Sequence, residues 1–128
     1  MDSQEQKNKQ LCEATLRNDW EKVVDLLNSG ADVKTDDSLV LRISAFLGVN
    51  EIVALALEKG ADLSVKDYSP YMWARVREAK DMDSQTADVI RQWAKNNNVG
   101  LQKLDERSLD AFKEERKRTS RNAFKPKP

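Results

Sequence analysis

The sequence contains no histidine and a single cysteine, Cys12, in its 128 residues. The absence of histidine excludes a histidine-based catalytic triad, a histidine general base and a histidine metal ligand. One cysteine cannot form a disulfide within the chain, and we interpret Cys12 as a small buried apolar residue. Glycine and proline are also scarce, with four and three copies. Three of the glycines stand at repeat or turn positions, which indicates that they are there for their backbone conformation.

Long apolar runs are missing as well. No stretch approaches the roughly 18 residues that a transmembrane helix needs, and the first residues lack the apolar core of a signal peptide. We therefore expect no membrane contact and a cytoplasmic location. The length suits one domain. Apolar residues make up 39% and charged residues 34%, which favours a thin, elongated helical protein over a deep globular core.

The net charge is zero, but the charges are unevenly distributed. Residues 113–128 carry seven basic and two acidic side chains, whereas the rest of the chain carries 15 basic and 20 acidic ones. The sequence therefore predicts a mildly acidic body followed by a basic tail.

A short motif occurs twice. Gly30-Ala31-Asp32-Val33 returns as Gly60-Ala61-Asp62-Leu63. Residues 14–33 and 44–63, aligned at the same spacing, share six identities over 20 positions. A fixed period of this size predicts a repeat architecture. In each copy an apolar pattern of helical spacing precedes the glycine, which is suited to the left-handed conformation that ends a helix.

The first two units are predicted to be helical hairpins. Residues 1–8 are polar and expected to be frayed, and the first helix is expected to end near Asn18. Asp19 is predicted to cap the second helix. In the second unit an apolar helix over 39–47 and a partner helix over 52–57 are joined by a short turn, which is typical of antiparallel helices.

The third unit is less regular. Ser69 is predicted to cap a helix that has Pro70 at its first position. The partner helix covers 87–94, and Asn97 is expected in the place of Gly30 and Gly60, because asparagine also tolerates the left-handed conformation. About seven extra residues, counted against the spacing of the first two units, lie around 78–85.

The C-terminal part is predicted in pieces. Residues 99–104 are expected to be strand-like or irregular, and residues 108–112 to start a helix before the chain becomes almost wholly charged. We divide the sequence into a repeat domain, 1–104, and a charged, basic tail, 105–128, that is either helical or disordered.

The repeated units resemble the ankyrin repeat. Residues 51–62 are similar to the family's second helix with its Gly-Ala-Asp ending, and residues 44–48 to its Ala-Ala-x-x-Gly segment. Ser69-Pro70-Tyr71-Met72 resembles the Thr-Pro-Leu-His motif that starts the first helix, although no unit keeps the histidine. The resemblance covers residues 8–99. It implies an all-α, ankyrin-like helix-turn-helix repeat solenoid of three units, with shortened hairpin loops and a basic C-terminal extension.

The resemblance also implies a function. Ankyrin repeats bind other proteins through a concave face, so we expect a non-catalytic module that docks on a partner protein as an inhibitor or adaptor, in the manner of a viral or bacterial effector. We expect it to be a monomer or a weak dimer. Packing of Phe46 between units is the alternative to its exposure. The positions that the resemblance assigns to partner binding are Arg17, Asp36, Phe46, Leu47, Lys66, Tyr68 and Arg77.

An enzyme is not predicted. The acidic pairs Asp36-Asp37 and Asp81 with Asp83 lack the alternating oxygen ligands of a calcium loop and are better interpreted as loop residues or helix caps. No phosphate-binding loop or nucleophile motif is present. We expect no cofactor and no metal ion.

The basic tail leaves an alternative open. Its cations could neutralise phosphates of a nucleic acid, with an affinity that depends on salt and not on sequence. They could also remain solvated, or form an arm that folds onto an acidic partner. The residues in question are Arg116, Lys117, Arg118 and Arg121.

Overall fold

The computed structural model describes residues 3–80 and 82–123, and of residues 118–123 it describes the backbone alone. These residues form eight α-helices and no β-strand, which confirms the all-α class. None of these helices is long and apolar enough to cross a membrane. The helices are α1 (Ser3–Leu16), α2 (Trp20–Asn28), α3 (Thr35–Leu47), α4 (Asn50–Glu58), α5 (Val65–Ala79), α6 (Gln85–Asn96), α7 (Gln102–Asp105) and α8 (Leu109–Ala123).

Consecutive helices pack in pairs, α1 with α2, α3 with α4 and α5 with α6. The first helices of the pairs also contact each other in order, because α3 packs against both α1 and α5, and α4 packs against α6. The last helix, α8, packs against α5. One continuous apolar cluster fills the space between the helices. Its fully buried members include Leu11, Val23, Leu41, Val53 and Ile90, one or more from each pair.

The helix ends follow the repeat. Gly30 and Gly60 have φ angles of 100° and 98°, which confirms their left-handed conformation. Asp19 accepts the Lys22 N–H at 3.3 Å, which confirms the predicted cap of α2. The prediction for the third unit is wrong by one residue. Asn97 has a φ of −109° and donates its side-chain amide to the Trp93 carbonyl, and Asn98, with a φ of 57°, takes the glycine's place.

A left-handed turn precedes the right-handed part of α3 and of α5. Residues 36–38 have φ angles of 53°, 52° and 52°, and residues 66–68, their counterparts in the next unit, have 50°, 57° and 61°. Because the right-handed part of α5 starts after Tyr68, Pro70 lies in its first turn. Ser69 does not cap it. The Ser69 hydroxyl instead points back to the Val65 carbonyl at 3.5 Å, because the left-handed turn brings that carbonyl within reach.

The N-terminal segment is helical from Ser3, so the prediction of a frayed end is wrong for residues 3–8, while residues 1 and 2 lie outside the described part of the chain. Three of its side chains bond to the loop after α2. Gln4 donates to the Gly30 carbonyl at 3.1 Å and Lys7 to the Ser29 carbonyl at 2.8 Å, and Asn8 accepts the Asp32 N–H at 2.8 Å. These contacts fix a polar helix that local propensity would leave loose.

The segment after α6 agrees with the prediction only in part. Residues 99–101 are irregular, which was one of the two expected forms, but the chain then forms the short helix α7, in which Leu104 is buried, with Leu101 buried just before it. The chain then forms α8 as far as Ala123, so the extension is helical over this range. Phe112 belongs to the main apolar cluster and is 2% exposed. The division at residue 104 stays a prediction, and contacts to the body extend beyond it.

Candidate functional site

Three large apolar side chains are exposed at the ends of neighbouring helices. Leu16, Phe46 and Leu47 are 66%, 47% and 40% exposed, and we call them the apolar strip. Leu16 ends α1, and Phe46 is its counterpart in the next unit, near the end of α3, so the two occupy equivalent positions in helices that contact each other. Val76, the next equivalent, is buried. The strip therefore belongs to the first two units.

Phe46 is packed on one side and exposed on the other. Its ring meets the Trp73 ring edge-on at a centroid distance of 4.9 Å, and Trp73 meets Phe112 at 5.0 Å. The three rings form a row across α3, α5 and α8. Both interpretations of Phe46 thus hold in part, because the residue packs between units and still leaves about half of its surface to solvent.

Arg77 binds the backbone of the apolar strip. Its Nη1 donates to the Phe46 carbonyl at 3.3 Å, and its Nε lies 3.8 Å from an oxygen of Asp83. The guanidinium lies against Gly48, where an added Cβ would come within 2.5 Å of it. Its side chain is mostly buried, unlike Arg17, which is exposed directly after α1. Arg77 therefore holds the strip in place, and Arg17 is available at its edge.

A polar cluster joins the turn of the second unit to that of the third. The Thr86 hydroxyl lies 2.5 Å from the Asn50 amide oxygen and 3.0 Å from Asp83, and Asp83 accepts the Gln85 N–H at 2.8 Å. Burial by itself would raise the pKa of Asp83. The hydrogen bonds from Gln85, Thr86 and Asn50 together lower it by more, so the pKa is below its ordinary value. This carboxylate therefore acts as a helix cap and a link between units.

The predicted loop residues lie around the two left-handed turns. Asp36 and Lys66 are exposed and Tyr68 is half-buried. Lys66 forms an exposed ion pair with Asp37 at 3.5 Å. The first turn is held by Arg42, whose Nη2 donates to the Asp36 carbonyl at 2.8 Å and whose Nε donates to the Asp37 carbonyl at 2.9 Å. Arg42 is thus a turn-stabilising residue.

The second left-handed turn has methionine, Met72, where the first has Arg42. Two arginines from the C-terminal segment bond to the equivalent carbonyls instead. Arg116 donates to the Lys66 carbonyl at 2.6 Å, and Arg107 lies 3.4 Å from the Asp67 carbonyl and 2.8 Å from the Asp67 carboxylate. The sequence pattern did not reveal that Arg107 and Arg116 take the role that Arg42 has in the first turn, because they are far from the second turn along the chain.

Of the four residues assigned to the tail, Arg116 is therefore bound to the body. Its guanidinium also lies 5.2 Å from the centre of the Phe112 ring. Lys117 is exposed. The side chains of Arg118 and Arg121 lie outside the described residues. Of these four residues, Lys117 is therefore the one described cation that is exposed and available for binding a nucleic acid.

A second polar cluster, which the sequence analysis missed, lies where α5, α6 and α7 meet. The Tyr71 hydroxyl donates to Asp105 at 2.5 Å and accepts from Nε of Arg91 at 3.0 Å, and Arg91 binds both oxygens of Glu78 at 2.7 and 2.9 Å. Burial, followed by the hydrogen bond to Asp105, raises the pKa of Tyr71 to about 12. The hydrogen bonds from Arg91 lower the pKa of Glu78.

This cluster has a structural explanation. Arg75, beside it, donates to the carbonyls of Leu104, Asp105 and Arg107 at 2.6, 2.9 and 3.1 Å, and so satisfies the end of α7.

Cys12 is half-buried, and burial, followed by the nearby Asp36 charge, raises the pKa of its thiol. Within residues 3–80 and 82–123 no group of acidic and cysteine side chains is arranged to hold a metal ion.

No protein-family model, curated protein or solved structure matches this chain.

Proposed function

We propose that the chain is a protein-binding module whose helical hairpins form an ankyrin-like solenoid, and that the apolar strip is its docking surface. The order of the helix contacts supports the solenoid, because the first helix of each pair packs against the first helix of the next. The glycine positions and the left-handed turns, which recur at the same spacing along the chain, support it as well.

The observation that carries the docking proposal is the exposure of Leu16, Phe46 and Leu47 at one end of adjacent helices. Exposed apolar patches mark sites of protein contact, and Leu16 and Phe46 hold equivalent positions on helices that pack against each other. Phe46 is further held by the Trp73 ring, so it would enter a complex with little loss of side-chain freedom, as binding hot spots typically do. A partner bound here would have part of its surface blocked, which is inhibitor activity, or would be linked to a second protein, which is adaptor activity.

The test places a photo-reactive amino acid at Leu47 and, as a matched control, at Glu58, which is exposed at the end of α4. We expect one protein to be cross-linked from position 47, and not from 58, in nuclease-treated lysate of the source cells. The double variant Leu16→Ser, Leu47→Ser should lose that protein while its melting temperature stays close to wild type, because both side chains are substantially exposed.

Equal cross-linking from positions 47 and 58 would contradict the proposal, as would a partner that survives the double variant. Capture that disappears with nuclease would point to the tail alternative. No described contact favours that alternative, since Arg116 is bound to the body.

A further inference from the structure

A groove runs between α3 and α5 and ends at α8. Its apolar floor consists of Ile43, Phe46 and Trp73, and Ser69 lies beside them. Phe46, which meets Trp73 edge-on, remains 47% exposed. Three cationic side chains, Arg42, Lys66 and Arg116, also line the groove. We call the whole the basic groove.

The charge of the basic groove is compensated only in part. Among the described residues that line it none is acidic. Arg42 and Arg116 donate to backbone carbonyls, which carry no net charge, and only Lys66 has a carboxylate partner, Asp37, in an exposed pair at 3.5 Å. Nε of Arg116 is buried and has no hydrogen-bond partner within the described part of the chain.

This arrangement contrasts with the rest of the body, in which acidic side chains outnumber basic ones. A local cationic groove on an acidic surface selects ligands by charge and directs their approach. Its apolar floor would in addition take up a large apolar side chain, which supplies affinity that charge alone does not.

We propose that the basic groove binds an acidic peptide segment whose carboxylates flank a leucine or an aromatic residue. The apolar residue lies on Phe46 and Ile43, and the carboxylates meet Lys66, Arg42 and Arg116. This inference rests on the proposed function and names the chemistry of the partner. The carboxylates can pair with the terminal N–H groups of Arg42 and Arg116 that do not bond to the backbone, because each guanidinium has five donors.

A nucleic acid is the other anionic ligand to consider. Binding of single strands relies on exposed aromatic faces on which bases stack. In this groove Phe46 and Trp73 meet edge-on, and Trp73 is enclosed between Phe46 and Phe112. Of these three rings only Phe46 is substantially exposed, so they offer one stacking position and not a row of them, and the acidic body would repel a long polyanion. The geometry therefore favours a short acidic peptide.

The test measures fluorescence anisotropy of a labelled peptide with two glutamates on each side of a leucine–phenylalanine pair. Two control peptides replace the glutamates by glutamine or the apolar pair by serine, and a labelled oligothymidine serves as the nucleic-acid probe. We expect both control peptides to bind at least about fivefold more weakly, since each exposed charge contact contributes a modest part of the affinity.

Lys66→Glu is the informative protein variant, because Lys66 is exposed and its ion pair contributes little to stability. It should weaken binding of the acidic peptide by about fivefold or more. Lys22→Glu, an exposed lysine on α2, is the matched control and should have no effect. Thermal melting of both variants checks that they fold.

The proposal is overturned if the glutamate and glutamine peptides bind equally, if Lys66→Glu has no effect, or if the oligonucleotide binds more tightly with the same sensitivity to Lys66→Glu. Retention of the protein cross-linked from position 47 distinguishes failure of this proposal from failure of the proposed function. If Lys66→Glu retains that protein and the Leu16→Ser, Leu47→Ser variant loses it, the docking surface stands and the preference for acidic segments fails.

Discussion

Replacing Phe112 by alanine is expected to destabilise the chain well beyond α8 itself. Phe112 is a buried residue by which α8 joins the apolar cluster, where its ring packs against Trp73 and lies beneath the guanidinium of Arg116. Loss of the ring would loosen α8, and with it the bonds from Arg107 and Arg116 that hold the left-handed turn of the third unit.

The magnitude follows from burial. Phe112 is 2% exposed, and truncation of a buried phenylalanine to alanine costs about 3–5 kcal/mol. Because α8 packs mainly against α5 among its described neighbours, it can shift towards the cavity, and we expect the lower end, about 3 kcal/mol. With about 2.1 cal/mol/K of unfolding entropy per residue, a chain of this length has about 270 cal/mol/K, so the melting temperature should fall by about 11 °C.

The assay is thermal unfolding followed by circular dichroism, with urea titration for the free energy of unfolding. Glu114→Ala is the matched control, because Glu114 is exposed on the same helix and its loss should change stability by less than about 0.5 kcal/mol. Hydrogen exchange would show whether α5 and the turn at residues 66–68 lose protection together with α8.

A Phe112→Ala variant that melts within a degree or two of wild type, with unchanged protection of α5, would refute this reasoning. In that case residues 105–128 would be an independent tail, as the division at residue 104 proposes. A loss of stability near the expected value would place at least residues 105–112 with the repeat domain.

Two further predictions concern the backbone and one buried hydroxyl. Gly60→Ala should cost about 1–2 kcal/mol because its φ is 98°, while Gly100→Ala, equally uncrowded but without a left-handed φ, should be neutral; equal melting temperatures would contradict this. In a Tyr68→Phe background the tyrosinate absorbance reports Tyr71 alone, with a midpoint near pH 12 and not 10. Since the unfolded tyrosine ionises near 10, stability should fall as pH rises above 10; a midpoint at 10 would contradict the buried hydrogen bond to Asp105.

Positions that repeat with an identical residue were predicted well. Gly30 and Gly60 were assigned to the left-handed conformation from sequence, and both adopt it. The third unit has three consecutive asparagines, all compatible with that conformation, and the sequence could not choose among them. The choice of Asn98 follows from where α6 ends, which depends on the packing of α6 against α4 and α5.

Local sequence patterns gave wrong predictions where the structure depends on contacts between residues far apart along the chain. Apolar residues in 99–104 are compatible with a strand, but no neighbouring strand is present within the described residues, and Arg75 instead binds the carbonyls at the end of a short helix. Arg116 was interpreted as part of a charged tail because its sequence neighbours are charged. Its partners, Lys66 and Phe112, only become neighbours when α8 packs against α5.

The sequence by itself determined the helical class, the repeat spacing and the helix-ending glycines, because these depend on apolar periodicity and on φ angles that few residues adopt. Only the tertiary structure decided which charged residues also bind the protein's own backbone. Arg42, Arg77 and Arg116 have the same local appearance as any surface arginine, yet each binds a backbone carbonyl of the protein itself. The physical reason is that a backbone carbonyl accepts from the nearest suitable donor in space, and which donor is nearest is set by packing and not by position along the chain.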